Sequence, residues 1–142
     1  MTRIMVQKDM EEGLRFFRKG NYPGALSSFK KAYLGDTDSS AVQFHFALAL
    51  AGAGDFRNAD RAFSAALEGL SVDDIRGTDL SGMFGSSAQQ DLYRKNLAMA
   101  APDSLSSGVI ALLLGDDPAA REILSAQKKN AAARKLLRSL IP

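Results

Sequence analysis

Residues 11–70 read EEGLRFFRKG NYPGALSSFK KAYLGDTDSS AVQFHFALAL AGAGDFRNAD RAFSAALEGL, and one pattern occurs in them twice. Gly20, Tyr22, Ala25, Phe29 and Ala32 are each followed 34 residues later by Gly54, Phe56, Ala59, Phe63 and Ala66. Upstream, Gly13 and Phe16 are matched at that interval by Ala47 and Leu50. A fixed period of this size marks stacked supersecondary units, each unable to bury its apolar face alone.

The spacing predicts two helices per unit. Small residues (Gly13/Ala47, Ala25/Ala59, Ala32/Ala66) stand where helix backbones approach closely, and large ones (Phe16/Leu50, Phe29/Phe63) fill the space beside them. Gly20 and Gly54 end the first helix of each pair, because glycine enters the left-handed conformation without a steric penalty. Pro23 then falls in a first turn, where proline is tolerated.

With Gly20-Asn21-Tyr22-Pro23-Gly24-Ala25 and Gly54-Asp55-Phe56-Arg57-Asn58-Ala59 in place, the stretch resembles the tetratricopeptide repeat. The two clear copies cover roughly residues 6–70, and the tryptophan, leucine and closing proline of the fuller consensus are missing. The resemblance implies an all-α, right-handed α-solenoid of helix pairs, of about eight helices in one domain over residues 1–142. Repeat 1 is placed at about 6–39 and repeat 2 at about 40–70. An insertion follows at about 71–101, then a degenerate repeat 3 at about 102–129 and a capping helix at about 130–141.

Composition sets the outer bounds. A chain of 142 residues with 46% hydrophobic content is long enough for one compact domain. No cysteine is present, which excludes disulfides, thiolate metal sites and thiol catalysis. A net charge of +2 does not demand a polyanionic partner. No run reaches the roughly 18 apolar residues of a membrane helix, and residues 1–12 lack the continuous apolar segment of a signal peptide. A cytoplasmic location is the default expectation, and a periplasmic one stays open should the chain be part of a longer protein.

Along the chain, helices are expected at about 5–19, 22–34, 39–53 and 55–69. Asp36-Thr37-Asp38-Ser39 supplies capping oxygens, and the glycine and distal glutamate of a calcium loop do not follow them. The third helix is apolar nearly all round and contains His45, the only histidine, read as structural for want of carboxylate company. Gly52-Ala53-Gly54 follows a helix rather than a strand and lacks a third glycine, so it is no phosphate loop. Residues 71–85 read as a long loop, pinned to the helices through Ile75, Leu80, Met83 and Phe84. A fifth helix at about 87–100 puts Leu92, Tyr93, Leu97 and Ala100 on one face. Gly108, Ala111, Gly115, Asp116, Ala120 and Leu124 echo the motif 61 residues after the second copy, with Asp117-Pro118 starting the last helix of that unit. The final helix sets Leu136, Leu137 and Leu140 against a basic side of Arg134, Lys135 and Arg138.

Neither a nucleophile beside a base, nor a carboxylate pair, nor a metal cluster can be assembled, so no catalytic residue, cofactor or metal is expected and the chain is not read as an enzyme. The expected function is a protein-interaction scaffold that holds an apolar partner segment in a concave groove. By resemblance, the groove is lined by Gln7, Met10, Leu14, Phe17 and Arg18 in the first repeat, by Ala41, Phe44, Leu48 and Ala51 in the second, and by Leu105, Val109 and Leu112 in the third. Met10 and Leu14 stand where chaperone-binding relatives would carry polar clamp residues, which argues against that clamp. The insertion is expected to lie over part of this surface, either closing it or gating it. Two further readings stay open: a homo-oligomer through the same surface, and a nucleic-acid binder through Arg121, Lys128, Lys129, Arg134, Lys135 and Arg138, disfavoured because aromatics for base stacking are absent there.

Overall fold

The computed structural model describes residues 3–140, and among them all regular structure is helical. The α-helices are α1 (Arg3–Arg18), α2 (Tyr22–Gly35), α3 (Ser40–Gly52), α4 (Phe56–Gly69), α5 (Val72–Arg76), α6 (Ser87–Ala100), α7 (Leu105–Leu113), α8 (Asp117–Ser125) and α9 (Ala131–Arg138). A 3-10 turn at Ser81–Met83 lies between α5 and α6. The extra helix beyond the expected eight is α5, in a stretch read as loop. Ser71 and Asp74 form a reciprocal capping box there, which satisfies two orphan N–H groups and nucleates a short helix despite the neighbouring glycine. Residue 141, the expected end of the capping helix, lies outside the described residues.

Three helix pairs, α1/α2, α3/α4 and α7/α8, are closed by the same turn. Gly20, Gly54 and Gly115 alone among the described residues have positive φ, at 75°, 86° and 80°. Each glycine N–H donates to the carbonyl three residues back (Phe17, Ala51, Leu112), and the next N–H donates to the carbonyl five back (Phe16, Leu50, Ala111). These two bonds satisfy the last carbonyls of the outgoing helix. The residue that makes the second bond, Asn21, Asp55 or Asp116, then accepts from the N–H three residues on and caps the incoming helix. The start of α8 is therefore capped by Asp116, one residue before the expected Asp117, because the cap must directly follow the left-handed glycine.

Inside each pair a small residue on the first helix receives a large one from the second. A β-carbon on Gly13 would overlap the Phe29 ring, and one on Gly108 would overlap the end of Leu124. Ala47 and Phe63 hold the same places in the middle pair, and Phe29, Phe63 and Leu124 are fully buried. The degenerate third unit thus keeps the geometry while replacing the aromatic by leucine. Between pairs, α2 packs on α3 and α4 on α7. Asp60 of α4 accepts from the Ser106 N–H and hydroxyl at 2.8 and 2.5 Å, satisfying the first turn of α7. At its other end α4 is capped by Lys135 of α9, whose ammonium donates to the carbonyls of Leu67 and Leu70. A positive charge at a helix C-terminus is favourable there.

No helix among the described residues is long and apolar enough to cross a membrane.

Candidate functional site

The candidate surface is the set of faces that α1, α3 and α7 turn toward the segment joining α4 to α7. That segment is fixed by its apolar residues. Ile75, Leu80, Met83 and Phe84 are all buried, as their sequence required. The Phe84 ring lies 5.4 Å from Phe17 and 5.1 Å from Tyr93, the latter edge-on. Tyr93 also meets Tyr22 edge-on at 5.7 Å and lies 5.9 Å from Phe17.

Helix α6 crosses the first helices of all three pairs with one stripe of side chains, at i, i+4 and i+8. The Gln89 amide donates to the Phe17 carbonyl of α1 at 3.1 Å, while its oxygen accepts from the Gly85 N–H at 2.9 Å. The Tyr93 hydroxyl donates to the Leu48 carbonyl of α3 at 2.7 Å. Leu97 lines a cleft together with Ile110 and Ala111 of α7. Arg94, beside this stripe, pairs with Asp116 at 2.7 Å, and Arg76 of α5 pairs with Asp117 at 3.2 Å. Both ion pairs are exposed and contribute little to stability. The buried stripe is narrower than expected: Leu92 and Ala100 are exposed, since Tyr93 and Leu97 define the contact and Leu92 sits about 100° around the helix from Tyr93.

The sequence-derived groove residues divide accordingly. Phe17, Phe44, Leu48, Leu105, Val109 and Leu112 are buried, as is Ala51. Met10 and Leu14 are half-buried against the core, and Gln7, Arg18 and Ala41 are exposed. The buried part takes in Phe17 at the end of α1 and, on α3, everything from Phe44 onward on this face, with the Phe44 ring set against Phe63 of its own pair at 5.4 Å. On the same helix faces, at i, i+3 and i+7 spacing, Gln7, Met10, Leu14 and Ala41 remain accessible at the N-terminal ends.

Titratable groups here are few. Burial pushes the Tyr93 hydroxyl well above its ordinary range, with nearby Tyr22 adding to the effect, so the group stays a proton donor at any ordinary pH. Burial also raises Tyr22, opposed by its hydrogen bond with Gln89. His45 is lowered by burial, against the opposing effect of the Ala41 carbonyl that its Nδ1 meets at 2.8 Å, and its ring lies 5.9 Å from Phe29. No group of three or more His, Asp or Glu able to hold a metal occurs among the described residues.

The basic residues of the C-terminus are not a uniform solvated face. Lys135 caps α4, Arg121 donates to the Leu140 carbonyl, and Arg134 donates to the Lys128 carbonyl. Helical periodicity puts Lys135 on the polar side of α9, and nothing in the sequence signals that the end of α4 lies beside it. Gln89 was likewise invisible as a bridging residue, because its role depends on where α6 docks. No family model, curated protein or solved structure matches this chain.

Proposed function

We propose that this chain is a protein-interaction scaffold: three tetratricopeptide-like helix pairs stacked as a right-handed solenoid, with an apolar partner segment held on the concave face. The observation that carries this reading is the stripe of Gln89, Tyr93 and Leu97, which meets α1, α3 and α7 in turn. A surface that already receives a helix through apolar contacts and backbone carbonyl acceptors has the chemistry to receive another. The accessible continuation of the face, Gln7, Met10, Leu14 and Ala41, is where a partner would first engage.

Magnitudes limit how the insertion behaves. Its buried apolar side chains, Ile75, Leu80, Met83, Phe84, Tyr93 and Leu97, at roughly 1.5–3 kcal/mol each amount to roughly 9–18 kcal/mol. That rivals the whole stability of a domain, about 5–15 kcal/mol. Residues 75–84 are therefore a permanent plug in this reading. Release of α6 alone exposes Tyr93 and Leu97, at a cost of roughly 3–6 kcal/mol.

The test compares the intact chain with its Ala41→Glu variant in affinity purification from the native cell extract. Ala41 is exposed, so the variant is expected to fold, which circular dichroism checks. A discrete partner retained by the original and lost by the variant supports the reading. Identical recovery by both, or no discrete partner, contradicts it.

A further inference from the structure

We infer that α6 occupies a subsite for a partner helix bearing an amide side chain, a tyrosine and a leucine at i, i+4 and i+8, and that such a helix binds by displacing α6. The inference rests on the interaction-scaffold reading and adds the chemistry of the ligand. The present occupant defines it. Gln89 gives the Phe17 carbonyl, which also accepts from the Gly20 N–H, a second donor near the end of α1, Tyr93 donates to the Leu48 carbonyl while its ring packs on Phe17, Tyr22 and Phe84, and Leu97 lines a cleft with Ile110 and Ala111. An occupant lacking the hydroxyl would leave one carbonyl lone pair dry, and one lacking the aromatic ring would leave Phe84 and Phe17 uncovered.

The rest of α6 is held differently from the plug before it. Only Tyr93 and Leu97 of its residues are buried, and ten of its fourteen residues are exposed, including Leu92 at 58% and Met99 at 73%. Its ends run into the short links at 84–86 and 101–104, and its ion pair to Asp116 is solvent-exposed. A helix held by one narrow stripe opens locally without unfolding the pairs beneath it.

Two measurements on the full chain test the inference. In hydrogen exchange, the amides of residues 90–100 should exchange at least tenfold faster than those of α3 and α7, and protection equal to α3 overturns it. In a titration, a fluorescent synthetic peptide of residues 84–100 should bind the Leu97→Ala chain, whose own α6 is loosened, at least tenfold tighter than the unaltered chain. A Tyr93→Phe version of the peptide should bind about fivefold more weakly, the factor for one ordinary hydrogen bond. Absence of saturable binding to a folded Leu97→Ala chain overturns the inference, and if that chain does not fold, the exchange result on the unaltered chain decides. A partner lost on Ala41→Glu while α6 stays fully protected would overturn this inference and leave the scaffold reading standing.

Discussion

The Tyr93 hydroxyl donates to the Leu48 carbonyl at 2.7 Å, joining α6 to the first helix of the middle pair through a buried bond. Leu48 is fully buried and Tyr93 nearly so. Tyr93→Phe keeps the ring and loses the bond, so it should cost about 1 kcal/mol. Tyr93→Ala also opens a cavity against Phe17, Tyr22 and Phe84 and should cost about 3–5 kcal/mol. Urea denaturation of the two variants measures both. Equal losses would mean that the ring contacts described here are not formed.

Two kinds of glycine should respond differently to alanine. At Gly13 the added methyl meets the Phe29 ring, so Gly13→Ala should destabilise by about 1–3 kcal/mol even though alanine favours helix. At Gly54 and Gly115 no atom lies within 4 Å of the added carbon, yet φ is positive, and alanine should cost about 1–2 kcal/mol through backbone strain alone. Thermal melts of the three variants, each read against the unaltered chain, check this. A neutral Gly115→Ala would remove the equivalence of the third turn with the first two.

His45 predicts a pH dependence. Its folded pKa is lowered, chiefly by burial, so the unfolded chain binds the imidazole proton more readily. Its contribution to stability is fully present above the unfolded value of about 6.5 and falls as pH drops from there through the lower folded pKa. Denaturation midpoints between pH 7 and 5 should therefore decline, and His45→Gln should flatten that part of the decline. An unchanged slope in the variant would place the titration elsewhere.

Lys135 is expected to behave as a cap. Lys135→Met should cost about 1–2 kcal/mol by leaving the Leu67 and Leu70 carbonyls without their donor, whereas a solvated lysine would change stability by less than about 0.5 kcal/mol. With Arg121 and Arg134 also engaged on backbone carbonyls, duplex DNA or RNA should bind no more tightly than roughly 10⁻⁴–10⁻⁶ M at physiological salt. Nanomolar, sequence-dependent binding would overturn this.

The helix pairs were legible because their signals are local. A glycine followed by Asn or Asp specifies the turn and the next cap within two residues, and the small and large partners recur at fixed intervals. Leu124 could be placed in the third unit even without an aromatic, since Gly115 fixed the register. The insertion was legible in part. The apolar character of Ile75, Leu80, Met83 and Phe84 required burial, but its direction was not encoded locally, and α5 was missed because glycines and aspartates masked the Ser71–Asp74 capping box. The apolar pattern of α6 suggests a wider buried face than the one Tyr93 and Leu97 form, and nothing local marks Lys135 or Asp60 as a cap. Each of these depends on which helix end lies opposite, a fact settled only by packing. Of the expected groove positions, the apolar pattern required cover for Phe17, Phe44 and Leu48, which are buried, but carried no local signal that Met10 and Leu14 would be only half-buried while Gln7 and Ala41 stay exposed.

The scaffold reading is tested most directly by site-specific photo-crosslinking in the native cells. A photoreactive residue is placed at Ala41, on the accessible end of the proposed face, and separately at Arg57, an exposed site on α4. A discrete crosslinked partner is expected from position 41 and none from position 57. Crosslinking of the same species from both positions, or from 57 alone, would contradict it.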